Sequence, residues 1–228
     1  MAGKLSQIRL LGYTMNNKNP WLKKDVSWSW PKEANADWII KELNIKKKDK
    51  VLDIGCGNGA HLRDISRKTG AKCFGADIRK DIFKLNKDKN IILRYSDMRA
   101  IKFPSSSFDK IFSLGAFEHV PQTDRVFSEV SRILKKDGKV LFTVPNECSF
   151  FHLIKKLKQL LGIWKLGYEE SFTISELNSL LKKHNLRIEK AYIVGHPKVF
   201  NIFNWMDNQL NKINNRRFGF FIRIIAKK

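Results

Sequence analysis

The stretch Val51-Leu52-Asp53-Ile54-Gly55-Cys56-Gly57-Asn58-Gly59-Ala60 joins an apolar run to three closely spaced glycines. Glycine tolerates positive φ and lets a ligand approach the main chain with no Cβ in the way. A helical pattern follows at once, and a helix N-terminus offers free N–H groups at the same point. The stretch predicts strand, tight turn and helix, with a nucleotide-like ligand lying over Gly55, Gly57 and Gly59. Two acids stand downstream at matching places, Asp77 and Asp97. Asp77 lies 22 residues past Gly55 (77 − 55), where an acid can accept hydrogen bonds from ribose hydroxyls. Asp97 follows the next apolar run, where it can accept from an adenine amino group. Glu118-His119 is a less specific pair. It reads either as a helix-entry turn or as a place where His119 serves as a general base.

These residues need a scaffold that gathers them. Glu33 to Asn44 reads as a helix, with Trp38, Ile39, Ile40 and Leu43 on its apolar face. Ala60 to Thr69 is a second helix, stopped by Gly70. Lys72 to Ala76, Ile91 to Tyr95, Phe108 to Leu114 and Lys139 to Val144 read as strands. Asp81 to Lys87 reads as a short helix and Pro121 to Lys136 as a long one. Strands alternating with helices predict an α/β, doubly wound, mostly parallel sheet. Ligands of such sheets sit at the carboxyl ends of the strands. Gly55, Asp77, Asp97 and Leu114 all fall at such ends. That coincidence of position says more than any one motif.

Gly55-x-Gly57-x-x-Ala60 with Asp77 also satisfies the looser dinucleotide fingerprint, so an NAD-dependent oxidoreductase is a competing reading. Asp53 argues against it. A carboxylate just before the glycines repels a pyrophosphate and attracts a sulfonium or an α-amino group. Val51 to Gly59 resembles motif I of the class I S-adenosylmethionine (SAM) methyltransferases. Gly75-Ala76-Asp77-Ile78 resembles their second motif, and Ser96 to Pro104 with Phe108-Asp109 their third. Ser113 to Val120 resembles the fourth, and Ile133 to Lys139 the turn before strand five. The likeness spans about Asp49 to Asn146 and is nearest to the small-molecule branch with ubiquinone- and menaquinone-type methyltransferases. It implies a Rossmann-like seven-stranded sheet whose last strand, Phe218 to Ala226, is antiparallel and inserted between strands five and six. It also implies SAM as cofactor, held by Asp53, Gly55, Gly57, Gly59, Asp77, Ile78, Asp97, Met98 and Leu114. No residue cluster suits a metal, and the transfer itself needs none.

The substrate is less legible. The chain carries 44 basic and 22 acidic side chains, a formal net charge of +22. Residues 151–228 hold 15 basic and 5 acidic groups, net +10, against +6 for residues 51–150. The excess is densest beyond the nucleotide-binding half, and it favours anionic partners. A small-molecule or lipid- or glycan-linked acceptor, an RNA and a plain solvated lysine surface are all compatible with it. Cys56, Cys73 and Cys148 lack paired spacing, which fits a reducing cytoplasm, and Cys148 reads as a buried small residue. No leader or membrane-spanning run is evident in the sequence.

Three further segments lie outside the alternation. Residues 1–32 form an N-terminal arm with Trp21, Trp28 and Trp30, either packed on the domain or covering the pocket. Residues 33–228 make a single domain with insertions at about 146–170 and 196–217 that form a helical cap. Phe150 to Trp164 reads as a helix apolar on one side (Phe151, Ile154, Leu157, Leu161) and basic on the other (Lys155, Lys156, Lys158). Val199 to Ile213 places Val199, Phe203, Met206, Leu210 and Ile213 at helical spacing. A cap with an apolar and a basic side suits an apolar substrate with an anionic head, met by peripheral contact with a membrane.

Overall fold

A computed structural model describes residues 35–85, 88–163, 168–195, 201–213 and 217–228. The N-terminal arm, Trp164 and residues 196–200 lie outside the described residues. The chain runs α1 (Ala36–Leu43), β1 (Lys50–Ile54), α2 (Ala60–Thr69), β2 (Lys72–Asp77), β3 (Ile91–Tyr95) and β4 (Phe108–Leu114). It continues through α3 (Thr123–Ile133), β5 (Leu134–Pro145), α4 (Phe150–Leu160), α5 (Ile174–Lys183), β6 (Arg187–Val194), α6 (Asn201–Ile213) and β7 (Phe221–Lys227). The strands form one sheet in the order β3-β2-β1-β4-β5-β7-β6. Neighbours from β3 to β5 pair in parallel. The last strand, β7, is antiparallel to both β5 and β6 and lies between them, as expected.

Side chains alternate across each strand, so every strand feeds both faces of the sheet. Leu52 and Ile54 of β1 join Phe117, Phe127 and Phe142 under α3 and α5. Val51, on the opposite face of β1, joins Ile39, Leu43, Leu62 and Ile65 under α1 and α2. The result is a three-layer α/β/α domain. Local chemistry sets the helix limits. Asn35 caps α1 by accepting from the Trp38 N–H, and Gly70 ends α2 at φ 70°. Thr173 and Glu176 close the reciprocal capping box of α5.

Several limits differ from the sequence reading. α3 begins at Thr123 rather than Pro121 and ends at Ile133 rather than Lys136. The Ser106 and Ser107 N–H groups donate to the Arg132 and Ile133 carbonyls at 2.9 and 2.8 Å, which directs the helix end to a neighbouring turn. Leu134 then pairs with Phe108, so β5 starts before the expected Lys139. Asp81–Leu85 is a 3-10 turn rather than an α-helix. Cys148 is half-buried, not buried, whereas Cys56 and Cys73 are buried and all three are free.

Candidate functional site

β1 delivers its chain into the glycine turn with Asp53 already beneath it. Gly55 has φ 80°, and its N–H donates to the Ala76 carbonyl at 2.8 Å. A Cβ there would stand 2.5 Å from the Ala116 Cβ, so the bare backbone of the turn packs against the Ala116 methyl in the segment after β4. Gly57 is different. Its φ is 53°, and a Cβ there would meet nothing within 4 Å. The loop is closed from below by β4 and open above, the shape that a ligand lying on the main chain requires. Ser113 supports it from β4, its hydroxyl donating to the Ile54 carbonyl at 2.8 Å.

Asp77 ends β2 and points into this loop. One carboxylate oxygen accepts the Gly57 N–H at 2.9 Å, and the other accepts the Arg79 N–H at 2.9 Å. Each oxygen keeps a further lone pair for a hydroxyl. Asp53 is buried, and burial together with the nearby Asp77 charge holds its carboxyl well above the usual range. A cation brought alongside would reverse that shift and favour the carboxylate. Ile78, next to Asp77, leaves its apolar side chain exposed at the same rim, whereas Leu114 is buried and Met98 packs partly against the core.

Asp97 is placed as expected, after β3, but its carboxylate is engaged. It accepts the Arg99 N–H at 2.8 Å and the Arg99 guanidinium at 2.6 Å. The Arg99 hydrogen bonds hold its carboxyl below the ordinary carboxylate range, against the partial burial that would raise it. Adenine recognition at this acid would therefore share the carboxylate with Arg99. That partner stands two residues away and was legible as a neighbour, but not as a clamp.

The turn Phe117–His119 carries the less specific pair to the same end of the sheet. The His119 Nδ1 lies 3.3 Å from the Tyr168 carbonyl, and Nε2 lies 4.0 Å from the Glu118 carboxylate. Burial lowers the His119 pKa, while the Glu169 charge and the Tyr168 carbonyl oppose that shift. The ring is thus neutral at neutral pH and able to accept a proton. Glu118 is buried, and burial holds its carboxyl well above the usual range.

A polar network that the sequence reading missed surrounds this turn. Lys155 of α4 is 3% exposed and reaches the Glu169 carboxylate at 2.7 Å and the Ser171 hydroxyl at 3.0 Å. The Thr123 hydroxyl donates to Glu170 at 2.8 Å, and the Tyr168 hydroxyl to the same carboxylate at 3.3 Å. Lys155 was expected on an exposed basic face, and the structure corrects this. The buried side of α4 carries His152 and Lys155, while Leu157 and Leu161 are exposed. The reason is the segment 168–172, which runs beside α4 and supplies the acid. In α6 likewise, Ile213 is exposed and Asp207 is buried. Asp207 accepts the Phe150 N–H at 2.9 Å and so caps α4 from its neighbour. An acid within an apolar helical stripe was the available signal for that role.

The seven-stranded order with an antiparallel β7, a glycine turn after β1 and an acid ending β2 define a class I, Rossmann-like methyltransferase fold. Residues 52–142 match the family described as methyltransferase domain, Methyltransf_11. Phosphoethanolamine N-methyltransferase 2 of Caenorhabditis elegans is 32% identical over 114 residues, 46% of this chain and 26% of that protein. Sterol 24-C-methyltransferase of Pneumocystis carinii is 33% identical over 123 residues, 50% of this chain and 33% of that protein. The matched part of the chain thus spans between a quarter and a third of these relatives. A SAM-dependent methyltransferase from Mesorhizobium loti superposes with a TM-score of 0.63 at 18% identity, over 86% of this chain and 99% of that one. Phosphoethanolamine N-methyltransferase 2 of Haemonchus contortus, in complex with SAM, gives 0.62 at 18%, over 85% and 52%. Residues 52–142 thus resemble the methyltransferase domain of these relatives, and the fold is that of SAM-dependent methyltransferases. The relatives support this class, and the ubiquinone-like branch stays an expectation.

Proposed function

We propose that this protein transfers a methyl group from SAM to a small-molecule acceptor, with a lipid-linked, anionic acceptor as the substrate class. The observation that carries the reading is the open Gly57 cradle with Asp77 hydrogen-bonded across it and Asp53 buried beneath. Bound SAM supplies a methyl group already activated on a sulfonium. The protein's task is then to align the acceptor and exclude water. In this reading Asp77 holds the ribose, Ile78 and Met98 flank the adenine, Asp97 lies at its edge, and Leu114 closes the pocket wall. Gly55, Gly57 and Gly59 shape the turn, and Asp53 faces the cationic end from below. α4 and α6, both beyond strand ends at the same edge, form the cap over the acceptor. The relatives named for sterol and phosphoethanolamine support an acceptor of this size.

His119 is the general base in this account, for an acceptor that must lose a proton. Its neighbours are Glu118, Tyr168, Glu169 and Lys155, and their net effect with burial is a lowered pKa. The rate should therefore stay on its plateau below the ordinary histidine value of about 6.5 and fall only in more acid solution. The test is transfer of labelled methyl from SAM to phosphoamine, sterol-like and isoprenoid-linked acceptors, over a pH series. His119→Asn should cut kcat at least about a hundredfold, leave SAM affinity within a factor of two, and remove the acid limb of the profile. A stable His119→Asn protein with full activity and an unchanged profile would contradict the assignment. Salt-sensitive methylation of RNA with none of the small acceptors would overturn the substrate class.

A further inference from the structure

We infer that the outward faces of α4 and α6 form a docking surface for an anionic lipid bilayer. Leu153, Leu157, Leu160 and Leu161 fall at i, i+4, i+7 and i+8, one stripe along α4, and all are exposed. Leu160 is 79% exposed. Ile163, just past the helix, is exposed as well. On α6, Ile202, Trp205 and Ile213 lie on one side of the helix and are likewise exposed, Trp205 at 59%. The two helices are neighbours: Phe203 packs on Phe150 and Phe151, and Asp207 caps α4. Two adjacent helices thus turn apolar side chains to solvent at the substrate end of the sheet. Monomeric soluble proteins seldom present contiguous apolar surface of this kind without a use for it.

Charge identifies the occupant. Lys158 and Lys212 stand exposed on the same helices, Lys156 stands exposed beside them in an ion pair with Glu147 at 2.6 Å, and the C-terminal part of the chain from residue 151 on carries a net +10. Large apolar side chains rimmed by lysine, with a tryptophan among them, match the interfacial zone of a membrane whose headgroups are negative. A second copy of this chain would bring the same lysines face to face. Lys155 takes no part, because its ammonium is buried against Glu169. The shape is that of a helix pair lying on the interface; no helix among the described residues is long and apolar enough to cross a membrane.

Sedimentation of the full chain with vesicles tests this. Vesicles of neutral phosphatidylcholine and vesicles of phosphatidylcholine mixed with anionic phosphatidylglycerol are compared at low and high salt. Binding should be strong only to the anionic set and should weaken with salt, because exposed charges are screened within about 10 Å at 0.1 M. Leu157→Asp/Leu161→Asp and Trp205→Ala should each reduce binding at least about tenfold. All three side chains are exposed, so the melting temperature should hold. Lys158→Glu should reduce binding to anionic vesicles alone. Absence of wild-type binding at low salt would overturn the inference, as would equal binding by Leu157→Asp/Leu161→Asp. Concentration-dependent dimerisation abolished by those substitutions, without vesicle binding, would assign the surface to a second copy instead. Vesicle binding needs no methyl donor, so its failure leaves the transfer reading standing.

Discussion

Gly55→Ala is expected to destabilise the protein by about 3 kcal/mol and to lower its melting temperature by several degrees, while Gly57→Ala should cost only about 1 kcal/mol. Both glycines sit at positive φ, so both substitutions strain the backbone. Only the first also places a methyl 2.5 Å from the Ala116 Cβ, where the β1 turn and the segment after β4 already touch. The Gly55 side cannot retreat without straining its N–H bond to the Ala76 carbonyl. The Gly57 position is open, so its alanine variant should fold but fill the cradle and lose SAM binding. Thermal unfolding of the two variants separates the roles. Equal melting temperatures would remove the claim that Gly55 is a packing contact and Gly57 a ligand contact.

Lys155→Met should destabilise α4 by about 3 kcal/mol, because it leaves the Glu169 carboxylate part-buried with its ion-pair partner gone. The pair is short, at 2.7 Å, and the lysine side chain is 3% exposed. The loss should be local. Amide exchange across residues 150–163 should speed up while the strands stay protected. Lys155→Met with Glu169→Gln should recover part of the loss, since the uncompensated charge is then gone. Removing Lys155 also withdraws a nearby positive charge from Glu118. Stability within 1 kcal/mol of wild type (roughly the worth of a surface pair) and unchanged exchange would show that the buried pair does not hold the cap.

How far these features could be read beforehand depends on the range of the interaction. β1 and its turn and α2 with its Gly70 stop are local patterns, and each lies where the sequence puts it. The inserted antiparallel strand was reached through family likeness; no local signal in residues 218–226 specifies its neighbours. The end of α3 was missed because the groups that terminate it, Ser106 and Ser107, lie more than twenty residues upstream. Lys155 of α4 was placed on the wrong side for a similar reason. The period of the helix was right, but the lysine was assigned to the basic face by residue type alone. A lysine reads as a surface residue until an acid such as Glu169 is brought beside it by a separate segment. Asp97 was located correctly by its place after β3. The Arg99 clamp on it follows from turn geometry that composition does not encode.

The central claim is that the turn from Gly55 to Gly59, with Asp77 across it, holds SAM. Titration calorimetry of the full chain measures this directly. The account predicts that wild type binds SAM, that NADH gives no heat, and that Asp77→Ala weakens SAM by at least about tenfold with its melting curve intact. That loss is roughly 1.4 kcal/mol, the worth of the hydrogen bonds a ribose makes to one carboxylate. SAM affinity unchanged in a folded Asp77→Ala protein would contradict the account, and tight NADH binding by the wild type would replace it.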